Sequence, residues 1–239
     1  MPVTLRRHLR TVKDAAGKRV VPISAKKEGF VIGRAQMIAS GARRIKSYST
    51  EAERGILAAK AAQKSIGIRR GNVKLPKEIG WANFFVNEKK AMDILKNKYG
   101  GNEILGRNAW LKGDTMEGSL QPAKPFAEII VKRRLGLALA AEAGKGGFGR
   151  KAIPINDVLL DNVTHSWIVE SVVQRLTHGL SNAPKMVASP KEGTGLQMAF
   201  MKQPNGKFRV KMAYEEFNGD VTKNFSECML PSLKKYLDL

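Results

Sequence analysis

"INDVLLDNVTHSWIVESVVQRLTHGL", residues 155–180, is the most apolar part of the chain. Val169, Val172, Val173, Leu176 and Leu180 fall at i, i+3, i+4, i+7 and i+11, the spacing of a helix with one buried face. Val163, His165, Trp167 and Val169 also alternate, so the first third reads equally as extended chain. Gly179 sits where a helix would stop. The next stretch offers a surface to pack against. Leu196, Met198 and Phe200 alternate before the turn Pro204-Asn205-Gly206, and Phe208, Val210 and Met212 alternate after it, which predicts a β-hairpin. A short helix from about Ser232 follows.

Upstream, helical patterns dominate. "LRTVKDAAGKRVVPIS" reads as two short extended runs about Ala15-Ala16-Gly17. Val31, Ala35, Ile38, Ala42 and Ile45 predict a helix weakened by Gly33 and Gly41. In "STEAERGILAAKAAQKSIG", Thr50 and Glu53 form a capping-box pattern and Gly67 is a natural stop, with Arg54, Lys60 and Lys64 off the apolar face. Asn87 caps a run in which Met92, Leu95 and Tyr99 share a face, and Gly100-Gly101 ends it. Residues 101–122 read as turn-rich around a core-bound Trp110, and the run from Pro125 is helical again. The fold class is α+β, helix-dominated, with a basic N-terminal arm and hairpin, a helical middle and a C-terminal β-hairpin packed on a helix.

Charge is the unusual total: 42 Lys and Arg against 21 Asp and Glu, a formal +21 over 239 residues. Residues 1–50 carry 12 cations and 2 acids, and residues 51–100 carry 11 and 5, so 16 of the 21 net charges lie in the first hundred residues. An imbalance of this size is relieved by a polyanion. The division expected is a basic, mainly helical nucleic-acid-facing region at 1–143, a Gly-rich loop at 144–154, and an apolar packing region at 155–239. The alternative division is one continuous domain. The phosphate contacts expected in the first region are Arg6, Arg7, Arg10, Lys18, Arg19, Lys26, Lys27, Arg43, Arg44, Lys46, Arg69, Arg70 and Lys74, many of them doublets rich in arginine.

Lys145, Arg150 and Lys151 extend that set into "AGKGGFGRKA", residues 143–152, where Gly144, Gly146 and Gly149 have the spacing G-x-G-x-x-G. A dinucleotide fingerprint needs a strand before and a helix after these glycines; here a helical run precedes them. The loop therefore reads either as a backbone contact to phosphate or as a linker.

The histidines look inert in sequence. His8 lies in the basic arm, and His165 and His178 are thirteen residues apart with no metal-ligand spacing. The single cysteine, Cys228, excludes an intrachain disulfide and reads as a small buried hydrophobe. No secretory signal or membrane span is legible. The expected function is a non-enzymatic structural subunit of a nucleic-acid-containing assembly, a virion or nucleocapsid protein or a ribonucleoprotein component. Its expected partners are RNA or DNA and further copies of itself or other subunits, with no cofactor, in a reducing compartment or inside a virion. The alternatives are a nucleic-acid- or nucleotide-processing enzyme using the Gly-rich loop, and a scaffold or peripheral membrane protein.

Overall fold

The computed structural model describes residues 2–69, 71–144, 157–184, 191 and 193–239. Strands β1 (Val3–Arg7), β4 (Arg44–Ser49), β5 (Val73–Lys74) and β6 (Val158–Thr164) run parallel. Strands β7 (Gly195–Lys202), β8 (Phe208–Tyr214) and β9 (Phe217–Asp220) form an antiparallel meander. Together they make one seven-stranded mixed sheet in the order β5-β4-β6-β1-β7-β8-β9, with β7 antiparallel to β1. A separate two-stranded hairpin joins β2 (Val12–Lys13) to β3 (Arg19–Val20).

The helices are α1 (Ile23–Ser40), α2 (Glu53–Lys64), α3 (Glu88–Tyr99), α4 (Glu103–Leu111), α5 (Ala123–Ile130), α6 (Gly136–Glu142), α7 (Ser166–Thr177), α8 (Thr222–Cys228) and α9 (Pro231–Lys234), with a π turn at Val131–Leu135 joining α5 to α6. The class is α+β, as expected. The two short runs about Gly17, the capped α3, the hairpin turning at Asn205-Gly206 and the final short helix all form.

The opening stretch divides where its two periodicities overlap. Residues 158–164 form β6, buried along its whole length, and α7 begins at Ser166. A parallel strand covered on both faces carries continuous apolar sequence, which is why Val158, Leu159 and Leu160 do not alternate. Three expectations are corrected here. The N-terminal arm is strand β1 at the centre of the sheet, between β6 and β7. The helix expected to run on to Ile45 ends at Gly41, whose φ of 64° makes it a left-handed cap, and Arg44–Ser49 is β4. The turn-rich segment after residue 100 contains α4, capped by the Asn102 side chain, which accepts from the backbone N–H groups of Ile104 and Leu105.

Gly33 has a packing role. A Cβ at this position would lie 2.5 Å from Ala62 Cα, so the missing side chain is what lets α1 lie against α2. The main core gathers the aromatic group Phe84, Trp110, Phe126 and Trp167 with β1, β6 and the meander. Cys228 is buried, and burial pushes its thiol up to about 11. Among the described residues, no helix is long and apolar enough to cross a membrane.

Candidate active site

Parallel strands deliver whatever follows them to one edge of the sheet, and open sheets bind ligands at that carboxyl edge. β1 pairs with β6 so that Arg7 stands opposite Thr164. The next residue on each strand is a histidine. His8 and His165 therefore meet, with ring centroids 4.9 Å apart in an edge-to-face arrangement, both almost wholly buried. β4 ends at the same edge, and α2 begins just after it with Arg54 in its first turn.

Hydrogen bonding fixes the tautomers. His8 Nδ1 lies 2.9 Å from the Leu9 carbonyl oxygen, which can only accept, so Nδ1 carries the proton and Nε2 keeps its lone pair. Arg54 Nη2 lies 3.4 Å from His165 Nδ1 and can only donate, so the His165 proton sits on Nε2. That Nε2–H is buried with no partner among the described residues. An acceptor-only ring nitrogen and an unsatisfied donor thus occupy the same edge.

The surroundings hold both rings neutral. Burial, then Arg54 and Arg7, bring His8 down to about 3 against the opposing pull of the Leu9 carbonyl. Burial, then His8, Arg54 and Arg7, bring His165 down to about 2. Arg54 is half-buried; burial and the neighbouring cations Arg19 and Arg7 lower its pKa, and Glu103 raises it.

These groups line a cleft of about 550 Å³ together with Arg10, Lys13, Arg19, Glu88, Glu103 and an aromatic wall of Trp81, Phe84, Phe85 and Trp167. Trp81 lies over His165 at 4.2 Å between centroids and stacks on Phe84 at 5.1 Å, which buttresses the imidazole. Thr164 Oγ1 donates to the Ile79 carbonyl at 2.9 Å, tying the end of β6 to the segment that carries Trp81. A buried ion pair between Arg107 and Glu170 fastens α4, whose first residue is Glu103, to α7. Glu88 accepts from the Trp81 indole N–H at 3.4 Å. Among the described residues no cluster of His, Cys, Asp and Glu could hold a metal ion.

No protein-family model matches the chain, and a search of curated proteins finds no match. Solved structures do share the fold. The chain is similar to mycobacterial glucosyl-3-phosphoglycerate phosphatase, with a TM-score of 0.56, 13% identity, and 89% of this chain covering 97% of that one. The complex of the same phosphatase with inorganic phosphate gives a TM-score of 0.53 at 12% identity, over 92% of this chain and 98% of that one. A protein described as mycobacterial hydrolase 1 gives 0.53 at 14% identity, over 92% and 99%. At these identities the likeness is one of fold.

The expectation of a non-enzymatic virion, nucleocapsid or ribonucleoprotein subunit, with nucleic acid and assembly subunits as partners, is corrected by these findings. About nine-tenths of the chain shares its fold with solved phosphatase structures, and the described residues line an open cleft.

The described members of the expected cation set lie on several parts of the fold. Arg6 is fully buried and donates from Nε and Nη2 to the two Asp161 carboxylate oxygens at 2.6 and 2.7 Å, so it meets no external anion. Arg43 and Arg44 stand at the start of β4, the sheet edge opposite the histidines. Lys26 and Lys27 are exposed on α1, Lys18 in the hairpin turn, and Arg69 and Lys74 around β5. Lys46 is half-buried near Lys74 and shifted down by burial. Among the described members of that set, Arg7, Arg10 and Arg19 line the cleft. Arg70, Lys145, Arg150, Lys151 and the loop from 145 to 154 lie outside the described residues.

Sequence reasoning missed His8, Arg54 and His165. A usable signal existed: each histidine lies two or three residues after a run rich in apolar residues, Val3 to Leu5 and Val158 to Val163, and the parallel pairing of these two runs brings the residues that follow them together.

Proposed function

We propose that this chain is a phosphohydrolase that cleaves phosphate monoesters through a phosphohistidine on His8. The observation that carries this reading is the His8–Leu9 hydrogen bond, which leaves a nucleophilic Nε2 lone pair beside two arginines and the unsatisfied His165 N–H. The fold shared with a phosphatase whose structure includes inorganic phosphate supports it.

In the first step His8 Nε2 attacks phosphorus. An N–P bond forms, the ester P–O bond breaks, and the leaving oxygen takes a proton from Glu103, the cleft carboxylate that acts on Arg54. Arg7, Arg54 and the His165 Nε2–H stabilise charge on the phosphoryl oxygens as it moves in flight. In the second step Glu103 takes a proton from water, the water oxygen attacks phosphorus, and the N–P bond breaks. Inorganic phosphate leaves and His8 returns to its neutral tautomer.

The test is trapping. After incubation with a labelled phosphate ester and an alkaline quench, label is expected on His8, stable to base and lost in acid, and absent from His8→Asn. Hydrolysis that continues in His8→Asn would sink the reading.

A further inference from the structure

The hairpin at the mouth of the cleft carries a charge arrangement that its own stability does not explain. Lys13 and Arg19 are direct cross-strand partners in β2–β3. Like charges facing each other across an antiparallel pair are destabilising, and a hairpin with two residues per strand has little stability to spare. Glu53 shares a pocket with Arg19, and Glu88 and Glu103 line the cleft, but among the described residues none of these acids pairs with either cation. The Asp14 side chain is occupied by its own turn, its Oδ1 accepting from the backbone N–H groups of Ala16 and Lys18 at 3.0 and 2.9 Å. Among the described residues, neither Lys13 nor Arg19 makes an ion pair, whereas Arg10 is partnered by Glu28 at 3.5 Å.

Both residues line the same cleft as His8 and His165, on an element separate from β1 and α2, which supply Arg7 and Arg54. The cleft, about 550 Å³, is of the size that holds a whole small molecule, not a lone phosphate. Arg19 is also close enough to Arg54 for the two guanidinium charges to oppose each other, which an anion between them would relieve. The cleft therefore carries cations from the hairpin as well as from β1 and α2, together with an aromatic wall.

We infer that Lys13 and Arg19 form a second anion subsite, and that the substrate is a small molecule carrying a phosphate there in addition to the one cleaved at His8. This rests on the phosphohydrolase reading for the first site. The hairpin cations bind the distal phosphate as a dianion and so fix which end of a bisphosphate enters first.

The experiment compares α,ω-alkanediol bisphosphates of three to six carbons with the corresponding monophosphates and with chains ending in a carboxylate. For the best chain length the wild type is expected to prefer the bisphosphate in kcat/KM by roughly 10- to 100-fold, the worth of one or two hydrogen bonds to a charged group. In Lys13→Gln/Arg19→Gln that preference should collapse to below about threefold, while Arg43→Gln/Arg44→Gln, at the far sheet edge, keeps it. Exchange of the two cations, Lys13→Arg with Arg19→Lys, should retain it as well. A wild-type ratio near one, a ratio that survives the double variant, or a carboxylate that serves as well as the second phosphate would each overturn the assignment.

If the wild type hydrolyses none of these compounds, the phosphohydrolase reading falls, and calorimetry with the same ligands judges the subsite alone. Tighter binding of the bisphosphate that is lost in the double variant upholds it, and equal binding of both ligands refutes it.

Discussion

Arg6 and Asp161 face each other inside the protein, with no solvent on either side chain, across the two strands that His8 and His165 directly follow. Arg6 Nη2 also donates to the Ala58 carbonyl of α2 at 3.2 Å, and Thr4 Oγ1 donates to Asp161 at 2.9 Å. One guanidinium thus ties together the three elements that supply the histidine pair and Arg54. Removing one partner of a buried pair strands the other charge, so Arg6→Ala is expected to cost about 3–5 kcal/mol. Chemical denaturation measures this; a loss below about 1 kcal/mol would show that the pair is not what aligns these elements.

Loss of the His165 N–H should act on the rate more than on binding. His165→Ala is expected to lower kcat by roughly 10²–10³-fold, the usual cost of one preorganised donor to a developing anion. Steady-state kinetics on 4-nitrophenyl phosphate decides, and a change confined to KM contradicts the role.

Glu103 is expected to matter most when the leaving group is poor. Glu103→Gln should slow an alkyl phosphate by roughly 10²–10⁴-fold, the scale of general acid catalysis, and 4-nitrophenyl phosphate much less. Equal losses on the two esters would place the acid elsewhere.

Acid should destabilise the ligand-free fold through its two histidines. Both have folded-state values held below the ordinary 6.5, about 3 for His8 and about 2 for His165, chiefly by burial. A depressed value means the unfolded chain takes up the proton first, so their contribution is complete above pH 6.5 and drains away as pH falls toward 3. By pH 5 the loss is on the order of 1–2 kcal/mol per histidine. Thermal denaturation against pH should show the slope, and His165→Gln should flatten it. An unchanged slope in that variant would remove His165 as a cause.

The two glycines of the α1 region should respond differently. Gly33→Ala drives a methyl into Ala62 Cα and is expected to cost about 1–3 kcal/mol by overpacking. Gly41→Ala meets open space and bears only the left-handed backbone, about 1–2 kcal/mol. The larger loss at Gly33 should come with a change in α1 protection in hydrogen exchange, and its absence there would argue against close α1–α2 packing.

Local signals carried some of this structure and not the rest. The Asn87 cap, the Gly67 stop and the Asn205-Gly206 turn lie within a few residues of what they control, and each was legible. β4 was not, because Arg44, Lys46 and Ser47 take extended form from pairing with β6, more than a hundred residues away. The site was hidden for the same reason. His8, Arg54 and His165 are brought together by strand order, and nothing in their own neighbourhoods marks them. The charge gradient misled in another way: Arg6, counted there as a surface cation, is neutralised by an acid 155 positions later.

The place of Val3–Arg7 at the middle of the sheet has a consequence for biosynthesis. Both neighbours of that segment, residues 158–164 and 195–202, emerge from the ribosome long after it. At roughly 5–20 residues per second, about 10 to 40 s pass before it can be flanked on both sides. For that interval the nascent chain holds an apolar, arginine-bearing ribbon with unsatisfied edges, and the meeting of His8 with His165 comes late in its maturation.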